Sequence, residues 1–190
     1  MFHLVLIEPE IPHNAGAAGR LALATGATLH LIEPLGFSLD DKHVRRTGLD
    51  YWQDVQLRVW KSFGDLRQAA DPAARFWMMS TKADTTPWQA DFQPGDYLIF
   101  GRETRGLPEE LVAAAGSRAL RIPMEPGGTR SLNLSTAVAI VLYEALRQQH
   151  PEWSALCVTQ ADCSCALPGF GSHPGNPAEP FGSGQGGQCG

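Results

Sequence analysis

The sequence predicts an α/β fold in which a mostly parallel sheet is flanked by helices. Short apolar runs alternate with stretches of helical pattern over residues 1–150, which is typical of parallel strands covered on both faces. Polar loops rich in Gly and Pro follow several of these runs, and both patterns are lost beyond residue 150. One folded domain over residues 1–150, followed by a tail of different composition, is therefore expected.

Six runs of aliphatic, β-branched and aromatic residues are bounded by turn residues, as buried strands are. The predicted strands are His3–Ile7, Thr28–Ile32, Val55–Trp60, Phe76–Ser80, Tyr97–Phe100 and Ala119–Pro123. Ligands of such sheets bind beyond the carboxyl ends of the strands, so chemistry is expected in the loops that follow these runs.

The first predicted helix is capped by Asn14 and ended by Gly26, since Asn is favoured at helix starts and Gly just past helix ends. Residues 40–48 suit a second helix, because acidic residues lead and arginines trail, which complements the helix dipole. Further helices are predicted near 62–70 and 108–115.

The last helix has the clearest pattern, because six apolar residues recur along one face before Pro151 stops the run. These six are Leu134, Ala137, Val138, Val141, Leu142 and Ala145. Ile140 and Tyr143 add apolar surface outside that face. A terminal helix that is apolar on two sides predicts burial against its own sheet and against a second copy of the chain, so a homodimer is expected.

Residues 151–190 hold eight of the 20 Gly, five of the 14 Pro and all four Cys, and they contain no Lys or Arg. Such a composition buries too little apolar surface to offset the entropy of ordering, so this segment is expected to be a flexible tail. Cys163-Ser164-Cys165 lacks the paired spacing of zinc ligands, so no metal site is expected.

The formal net charge of −5 is an average over two unlike regions. Residues 1–150 carry all 15 Lys and Arg against 17 acidic residues, whereas the tail carries three acidic residues. This balance excludes nucleic-acid binding through overall positive charge, so any RNA or DNA contact must be local or shared between subunits. No run approaches the ~20 apolar residues of a membrane helix. The N-terminus also lacks the basic lead of a signal peptide, so a cytoplasmic protein is expected.

The first of three notable loops, residues 8–20, enters the first helix and carries Asn14 and Arg20. Its Gly16-x-x-Gly19 spacing lacks the leading Gly-x-Gly of dinucleotide-binding folds, which disfavours a nicotinamide-dependent oxidoreductase. Taken alone, this loop also fits a plain helix start with small residues for close packing and a solvated arginine.

The second loop is Phe100-Gly101-Arg102-Glu103-Thr104-Arg105-Gly106-Leu107-Pro108, and the third runs from Ile122 to Ser135. The two glycines of the second loop allow the backbone to approach a ligand closely. In the third loop, Ser131 or Asn133 can cap the last helix while backbone N–H groups stay available to a ligand. Each loop taken separately also fits an ordinary turn between a strand and a helix.

The three loops together are far more specific than any one of them. Asn14 with Arg20, then Phe-Gly-x-Glu-x-x-Gly-Leu-Pro, then Ile-Pro-Met with Arg-Ser-Leu-Asn-Leu-Ser resemble the three motifs of the SPOUT superfamily of S-adenosylmethionine-dependent RNA methyltransferases. The opening Glu-Pro-Glu-Ile-Pro-x-Asn and the run Asp41-Lys42-x-x-Arg45-Arg46-x-Gly48-Leu49-Asp50-Tyr51 resemble the compact members that methylate the ribose 2′-OH of the wobble cytidine or uridine in tRNA. The resemblance covers about residues 2–149 and does not extend to the tail.

This resemblance implies an α/β domain with a C-terminal trefoil knot, formed by the second and third loops, which hold S-adenosylmethionine. Position by position, it implies cofactor contacts from Met79, Gly101, Ile122 and Ser131, with Thr81, Glu103, Met124, Leu132 and Asn133 as neighbours. It also gives Arg20 a central role in catalysis. A guanidinium in a protein almost never accepts a proton, so we expect Arg20 to orient the ribose or adjacent phosphate and to stabilise oxyanion charge. Asn14 is expected to position Arg20 or the substrate.

A local basic and aromatic patch is expected to hold the anticodon loop through phosphate contacts and stacking. Its residues are Lys42, Arg45, Arg46, Tyr51 and Trp52, with Arg130 and Arg105 added across the dimer. A solvated amphipathic helix is the ordinary interpretation of the same run. Two other functions stay open at this point, namely methylation of a ribosomal RNA ribose and a non-catalytic role in RNA binding or assembly.

Overall fold

The computed structural model describes residues 1–39 and 52–152, which form a six-stranded parallel sheet with helices on both faces. The strands are β1 (His3–Ile7), β2 (Thr28–Ile32), β3 (Leu57–Trp60), β4 (Phe76–Met79), β5 (Tyr97–Phe100) and β6 (Ala119–Leu120). The helices are α1 (Pro12–Thr25), α2 (Phe63–Ala69), α3 (Glu109–Ala115) and α4 (Leu134–Gln149). The predicted α/β class with a parallel sheet is confirmed.

The core lies in two layers, one on each face of the sheet, because successive side chains of a strand point to opposite faces. Leu4 and Leu6 of β1 pack with α1 and α4, whereas Val5 and Ile7 pack with α2 and α3. β2 and β5 are buried along their whole length, as strands covered on both faces are. Burying one such aliphatic side chain contributes about 1.5–3 kcal/mol, so these central strands form a rigid base for the loops.

The strand order, β3-β2-β1-β5-β4-β6, changes direction between β1 and β5, and we call the region beyond the carboxyl ends of these two strands the crevice. From β1 the chain continues to β2 and β3 on one side, and it then crosses to β4 and β5 on the other side. Leu6 near the end of β1 is paired with Leu31 of β2 and with Phe100 of β5. The loops after β1 and β5 therefore leave adjacent strands toward opposite sides, which is where open parallel sheets bind ligands.

The predicted bounds of β1, β2 and β5 are confirmed, and β4 ends one residue before the predicted end. β3 begins at Leu57 rather than Val55, because a 3₁₀ turn precedes it and the N–H of Val55 donates to the carbonyl of Trp52 (3.3 Å). β6 ends at Leu120 because the N–H of Arg121 donates to Thr85 (2.7 Å), which lies in the β4–β5 connection and not in a strand.

The predicted helix cap at Asn14 is wrong. α1 begins at Pro12, after Ile11, whose extended backbone occupies the N-cap position. Proline suits the first helical position, because the N–H that it lacks would be unpaired there. Asn14 instead lies in the first turn with its side chain buried. The predicted end at Gly26 is confirmed, with the left-handed φ of 70° that glycine adopts without strain.

The helices predicted near 62–70 and 108–115 are confirmed as α2 and α3, and the long terminal helix is confirmed as α4. The helix predicted over 40–48 lies outside the described residues, as do residues 153–190 of the tail predicted over 151–190. Within the part of the chain that the structure describes, no helix is long and apolar enough to cross a membrane.

Candidate active site

The loop after β5 folds tightly on itself at the edge of the crevice. Gly101 directly follows β5, and a Cβ at this position would lie 2.1 Å from the carbonyl carbon of Gly106. Gly106 itself has a φ of 71°, in the left-handed region that favours glycine. Its N–H donates to the carbonyl of Arg102 (2.9 Å). Both glycines of the second motif are therefore required by the path of the loop itself.

Glu103 is the central hydrogen-bond acceptor of the site. Its Oε2 accepts the backbone N–H of Glu10 (2.8 Å), and its Oε1 accepts the N–H of Ile11 (3.2 Å) and the side-chain amide of Asn14 (2.8 Å). The carboxylate also faces the start of α1, where the helix dipole favours negative charge. The acceptor for the N–H groups ahead of this helix thus comes from a distant loop and not from a local cap.

Two further contacts join the same pair of loops. The Arg102 guanidinium forms an ion pair with the carboxylate of Glu8. Glu8 has a φ of 50°, a left-handed conformation that is uncommon for a residue other than glycine and that turns the chain out of β1. The carboxylate of Glu10 accepts both the backbone N–H (3.1 Å) and the hydroxyl (3.0 Å) of Thr104.

The third loop joins the site through a pair of asparagines. The amide Nδ2 of Asn133 donates to Oδ1 of Asn14 (3.0 Å), and Oδ1 of Asn133 accepts the N–H (2.9 Å) and hydroxyl (2.7 Å) of Ser135. Of the two caps predicted for α4, Asn133 is therefore the one formed. Both ends of the Asn14 amide are engaged, which fixes its orientation. We call Glu10, Asn14, Glu103, Thr104 and Asn133 the loop network.

The other residues predicted to hold the cofactor lie at neighbouring strand ends or in the loop before α4. Met79 at the end of β4 and Ile122 just after β6 are half-buried and pack against the core. Met124 and Leu132 are also half-buried, whereas Thr81 and Ser131 are exposed. Half-buried apolar side chains beside the backbone polar groups of a tight loop suit an adenine-containing ligand.

Arg20 lies on the exposed side of α1. It is about 9 Å farther along the helix axis than Asn14 and on a different face. The side chain of Asn14 bonds to Glu103 and Asn133, so this structure favours a role for Asn14 within the loop network over one in orienting Arg20. The catalytic role of Arg20 stays a prediction.

Trp52, predicted to stack on RNA, packs partly into the core. Its indole rests against Gly19 of α1, where a Cβ would lie 2.4 Å from Cζ3 of the ring. Arg105 and Arg130 are exposed in the second and third loops, and Lys42, Arg45, Arg46 and Tyr51 lie outside the described residues.

Sequence reasoning missed the roles of Glu10 and Thr104 in the site. They are 94 positions apart, so no local pattern relates them. The sequence signal for Glu10 was its place directly after a strand and just ahead of a helix, which put it in the ligand-binding region without indicating its partner.

A second polar cluster, the strand network of His3, His30, Trp60 and Tyr97, lies on the face of the sheet opposite α1 and α4. The indole N–H of Trp60 donates to Nδ1 of His30 (3.0 Å), so the proton of His30 is on Nε2, which faces Nδ1 of His3 (3.0 Å). The Tyr97 ring stacks on His3. Burial, with smaller effects from His3 and Arg58, lowers the pKa of His30 to about 3. Among the described residues, no group of three or more His, Cys, Asp or Glu is arranged to hold a metal ion.

The parallel sheet and its three linked loops define a class of methyltransferases. The chain belongs to the SpoU rRNA methylase family, whose profile matches residues 1–143. It is similar to the solved structure of the SpoU methyltransferase AviRb from Streptomyces viridochromogenes in complex with the cofactor AdoMet, with a TM-score of 0.67 at 27% identity, over 77% of this chain and 57% of that chain. The predicted resemblance to SPOUT methyltransferases is thereby confirmed.

The more similar relatives have a narrower name. The chain is 49% identical to the tRNA (cytidine(34)-2′-O)-methyltransferase of Polaromonas sp. over 152 residues, which are 78% of this chain and 91% of that enzyme. It is 45% identical to the enzyme of the same name from Escherichia coli strain K12, over 78% of this chain and 94% of that enzyme. A solved structure described as "Structural insights into the 2-OH methylation of C/U34 on tRNA" has a TM-score of 0.75 at 49% identity and covers 80% of this chain and 97% of that chain.

Proposed function

We propose that this protein transfers a methyl group from S-adenosylmethionine to the ribose 2′-OH of the wobble cytidine or uridine, position 34, in tRNA anticodon loops. The observation that carries the proposal is the hydrogen bonding of Asn14, in the first turn of α1, to Glu103 of the second loop and Asn133 of the third, at the crevice between β1 and β5. The chain has this arrangement while sharing 49% identity over 152 residues with a tRNA (cytidine(34)-2′-O)-methyltransferase.

The cofactor surface consists of apolar side chains and fixed backbone. Met79, Ile122 and Leu132 supply half-buried apolar surface for the adenine ring, and backbone groups around Gly101 and Met124 bond to its polar edge. Ser131, Thr81, Glu103 and Asn133 border this surface. S-adenosylmethionine supplies a methyl group that is already activated as a sulfonium. Because Gly101 is held against Gly106, the loop needs little reorganisation on binding, which favours affinity.

The remaining tasks of the chain are alignment and charge stabilisation. In-line transfer requires the ribose oxygen to be held in a near-attack geometry and its proton to be removed. Arg20 orients the ribose or the adjacent phosphate and stabilises the negative charge that develops on the 2′-oxygen. Asn14 acts behind the substrate, since it is buried and holds Glu103 and Asn133 in place.

The tRNA is held locally, as the overall negative charge requires. Lys42, Arg45, Arg46 and Arg130 contact the phosphates of the anticodon loop, and binding therefore weakens with increasing salt. The exposed position of Arg130, near Asn133 in the third loop, supports this assignment. Because tRNA is the proposed substrate, we propose that the reaction occurs in the cytoplasm.

We further propose that residues 1–150 form a homodimeric domain with a C-terminal trefoil knot. Leu23 on α1 and Tyr143 on α4 are exposed, and these two helices pack against each other, so together they offer an apolar surface to a second copy. Residues 121–133 connect β6, at the edge of the sheet, to α4, which packs on α1, and this long connection is the segment assigned to the knot. Sedimentation velocity measures the dimer directly.

Incubating the protein with labelled S-adenosylmethionine and total tRNA, and then mapping the modified nucleotide, tests the reaction. The expected product is a 2′-O-methyl group at position 34. Arg20→Ala is expected to lower the rate about 100-fold, because charge on the 2′-oxygen loses its stabilisation. Arg67→Ala, a matched change on α2 of the opposite face, is expected to leave the rate unchanged. Label on a base, or equal rates for wild type and Arg20→Ala, would contradict the proposal.

A parallel reaction with ribosomal RNA tests the alternative that the family name raises. Label on a ribosomal RNA ribose with none on tRNA would assign the enzyme to that substrate instead. Calorimetry with S-adenosylmethionine distinguishes a methyltransferase of either substrate from a non-catalytic RNA-binding protein, because the latter would not bind the cofactor.

A further inference from the structure

Glu10 is the residue at which three loops of the crevice meet. It belongs to the loop after β1, and its carboxylate accepts two hydrogen bonds from Thr104 in the loop after β5 (3.1 and 3.0 Å). Gly36, in the loop after β2, packs against its backbone so closely that a Cβ on Gly36 would lie 2.7 Å from Cα of Glu10. The N–H of Gly36 also donates to the carbonyl of Pro9 (2.9 Å). The backbone of Glu10 therefore packs against the loop after β2, while its side chain bonds to the loop after β5.

The bonds between Glu10 and the loop after β5 run in both directions. Glu10 accepts from Thr104 through its side chain, and it donates to Oε2 of Glu103 through its backbone N–H (2.8 Å). Thr104 and Glu103 are adjacent in the chain, so holding Thr104 limits where the backbone of Glu103 lies and hence where its carboxylate reaches. A displacement of either loop would break bonds of both kinds at once.

The Glu10–Thr104 contact contributes little to the stability of the fold. Thr104 is exposed and Glu10 is half-buried, so water replaces these hydrogen bonds on unfolding with a small net change in free energy. The fully buried strands beneath the loops hold the sheet together without this contact. Its consequence is geometric, because Glu103 orients Asn14 and, through Asn14, the amide of Asn133.

We infer that Glu10 is a positioning residue for methyl transfer: by holding Thr104, it sets the Glu103 carboxylate and the Gly101 loop in the geometry that binds the cofactor. This inference rests on the proposed function. Glu10 acts through Thr104 and Glu103, and it does not itself touch the reacting atoms. Glu10, in the loop after β1, thus positions the loop after β5.

Paired substitutions separate the hydrogen bonds of Glu10 from its charge. Glu10→Gln removes the charge but keeps both bonds, because the amide oxygen accepts the N–H of Thr104 and the amide nitrogen donates to its hydroxyl. Glu10→Met removes the charge and both bonds at similar size. From the other side, Thr104→Ser keeps both donors, whereas Thr104→Val removes the hydroxyl. Each variant is measured for its melting temperature, its dissociation constants for S-adenosylmethionine and tRNA, and its single-turnover rate of methyl transfer.

Glu10→Met is expected to weaken S-adenosylmethionine binding about tenfold and to slow methyl transfer by a similar factor, whereas Glu10→Gln stays within about twofold of wild type. Thr104→Val is expected to weaken cofactor binding about threefold, with Thr104→Ser unchanged. In the double variant of Glu10→Met and Thr104→Val, the second change is expected to add less than about twofold, since both remove the same contact. The affinity for tRNA is expected to be the same for Glu10→Met and Glu10→Gln, because both remove one negative charge.

Equal cofactor binding and equal rates for Glu10→Met and Glu10→Gln, in a wild-type protein that transfers methyl groups, would overturn this inference alone. A wild-type protein that transfers none would overturn the proposed function instead. If Glu10→Met does not fold, the comparison of Thr104→Val with Thr104→Ser decides, and equal values for these two overturn the inference.

Discussion

The loop network and the strand network are both chains of polar side chains, yet they are built on different parts of the molecule. The strand network joins ring nitrogens of residues within the sheet, and His30 at its centre is 1% exposed. The loop network joins residues of three loops to Asn14 in the first turn of α1, and only Asn14 among its members is buried. One cluster is held by the core around it, whereas the other is held mainly by its own hydrogen bonds.

This difference separates stability from activity. Removing the donor to a fully buried acceptor such as His30 leaves an unsatisfied group in the core, which costs stability. A half-exposed bond exchanges with water at little cost, but its loss moves the groups it positioned, which costs catalysis. Changes in the strand network should therefore lower the free energy of unfolding, and changes in the loop network should lower the rate of methyl transfer.

The largest expected effect is that of Gly101→Ala in the loop after β5. The new Cβ would lie 2.1 Å from the carbonyl carbon of Gly106, so the loop must change its path. We expect methyl transfer to fall more than about 100-fold, since misplacement by 1 Å already has an effect of that size. Gly64→Ala on α2 is the control, because its Cβ would meet only a side-chain oxygen at 3.5 Å. Similar rates of methyl transfer for the two variants would contradict the assignment of the loop after β5 to activity.

The strand network can be tested by measuring how the free energy of unfolding falls at low pH, because His30 becomes protonated there. Its pKa is lowered from 6.5 to about 3 in the folded chain, so the unfolded chain takes up a proton first as the pH falls. Stability from this group is fully present above pH 6.5 and is lost as the pH drops toward 3. His30→Leu is expected to lower the free energy of unfolding by roughly 2 kcal/mol at pH 7 and to weaken its dependence on pH.

Urea unfolding at pH 7 and at pH 5 measures both effects. His13→Leu, at an exposed position of α1, is the control and should leave the urea midpoint at pH 7 as it is in wild type. An unchanged pH dependence in His30→Leu would show that the buried histidine does not have the assigned influence on stability.

The smallest expected effect is that of Trp60→Phe. This change removes the indole N–H that donates to His30 and leaves the acceptor without its partner, which costs about 1 kcal/mol. Trp88→Phe, at a position that is 53% exposed, should not shift the urea midpoint. The rate of methyl transfer at 25 °C should match wild type for both variants. A loss of rate in Trp60→Phe would indicate that the two networks are coupled.

The sequence predicts the sheet well, because its signal is local. Runs such as Tyr97–Phe100 are apolar, short and bounded by turn residues, and the structure confirms their bounds. The start of α1 is wrong for the opposite reason. Asn14 has the chemistry of a helix cap, but its amide finds partners in Glu103 and Asn133, 89 and 119 positions away. A pattern over a few residues cannot distinguish these outcomes.

The candidate site also has features that the sequence predicts and features that depend on distant partners. The motifs that carry Asn14, Glu103 and Asn133 mark three loops as one site, and the structure links these residues directly. The sequence does not indicate that Thr104 bonds to Glu10, since many residue pairs have that chemistry. Nor does it indicate that the Trp52 ring is seated on Gly19, because an exposed stacking platform and a half-buried ring have the same residue type.

The contact between Glu103 and Ile11 has a consequence for the order of folding. The two residues are 92 positions apart, so the acceptor for the N–H groups ahead of α1 arrives only when β5 has joined β1. Closing a loop of that length costs chain entropy that forming a local helix does not, so we expect this contact to form after α1. A partly folded chain that has β1, α1 and β2 alone therefore has no assembled site, and competence to bind the cofactor begins only when the central pair of the sheet is complete.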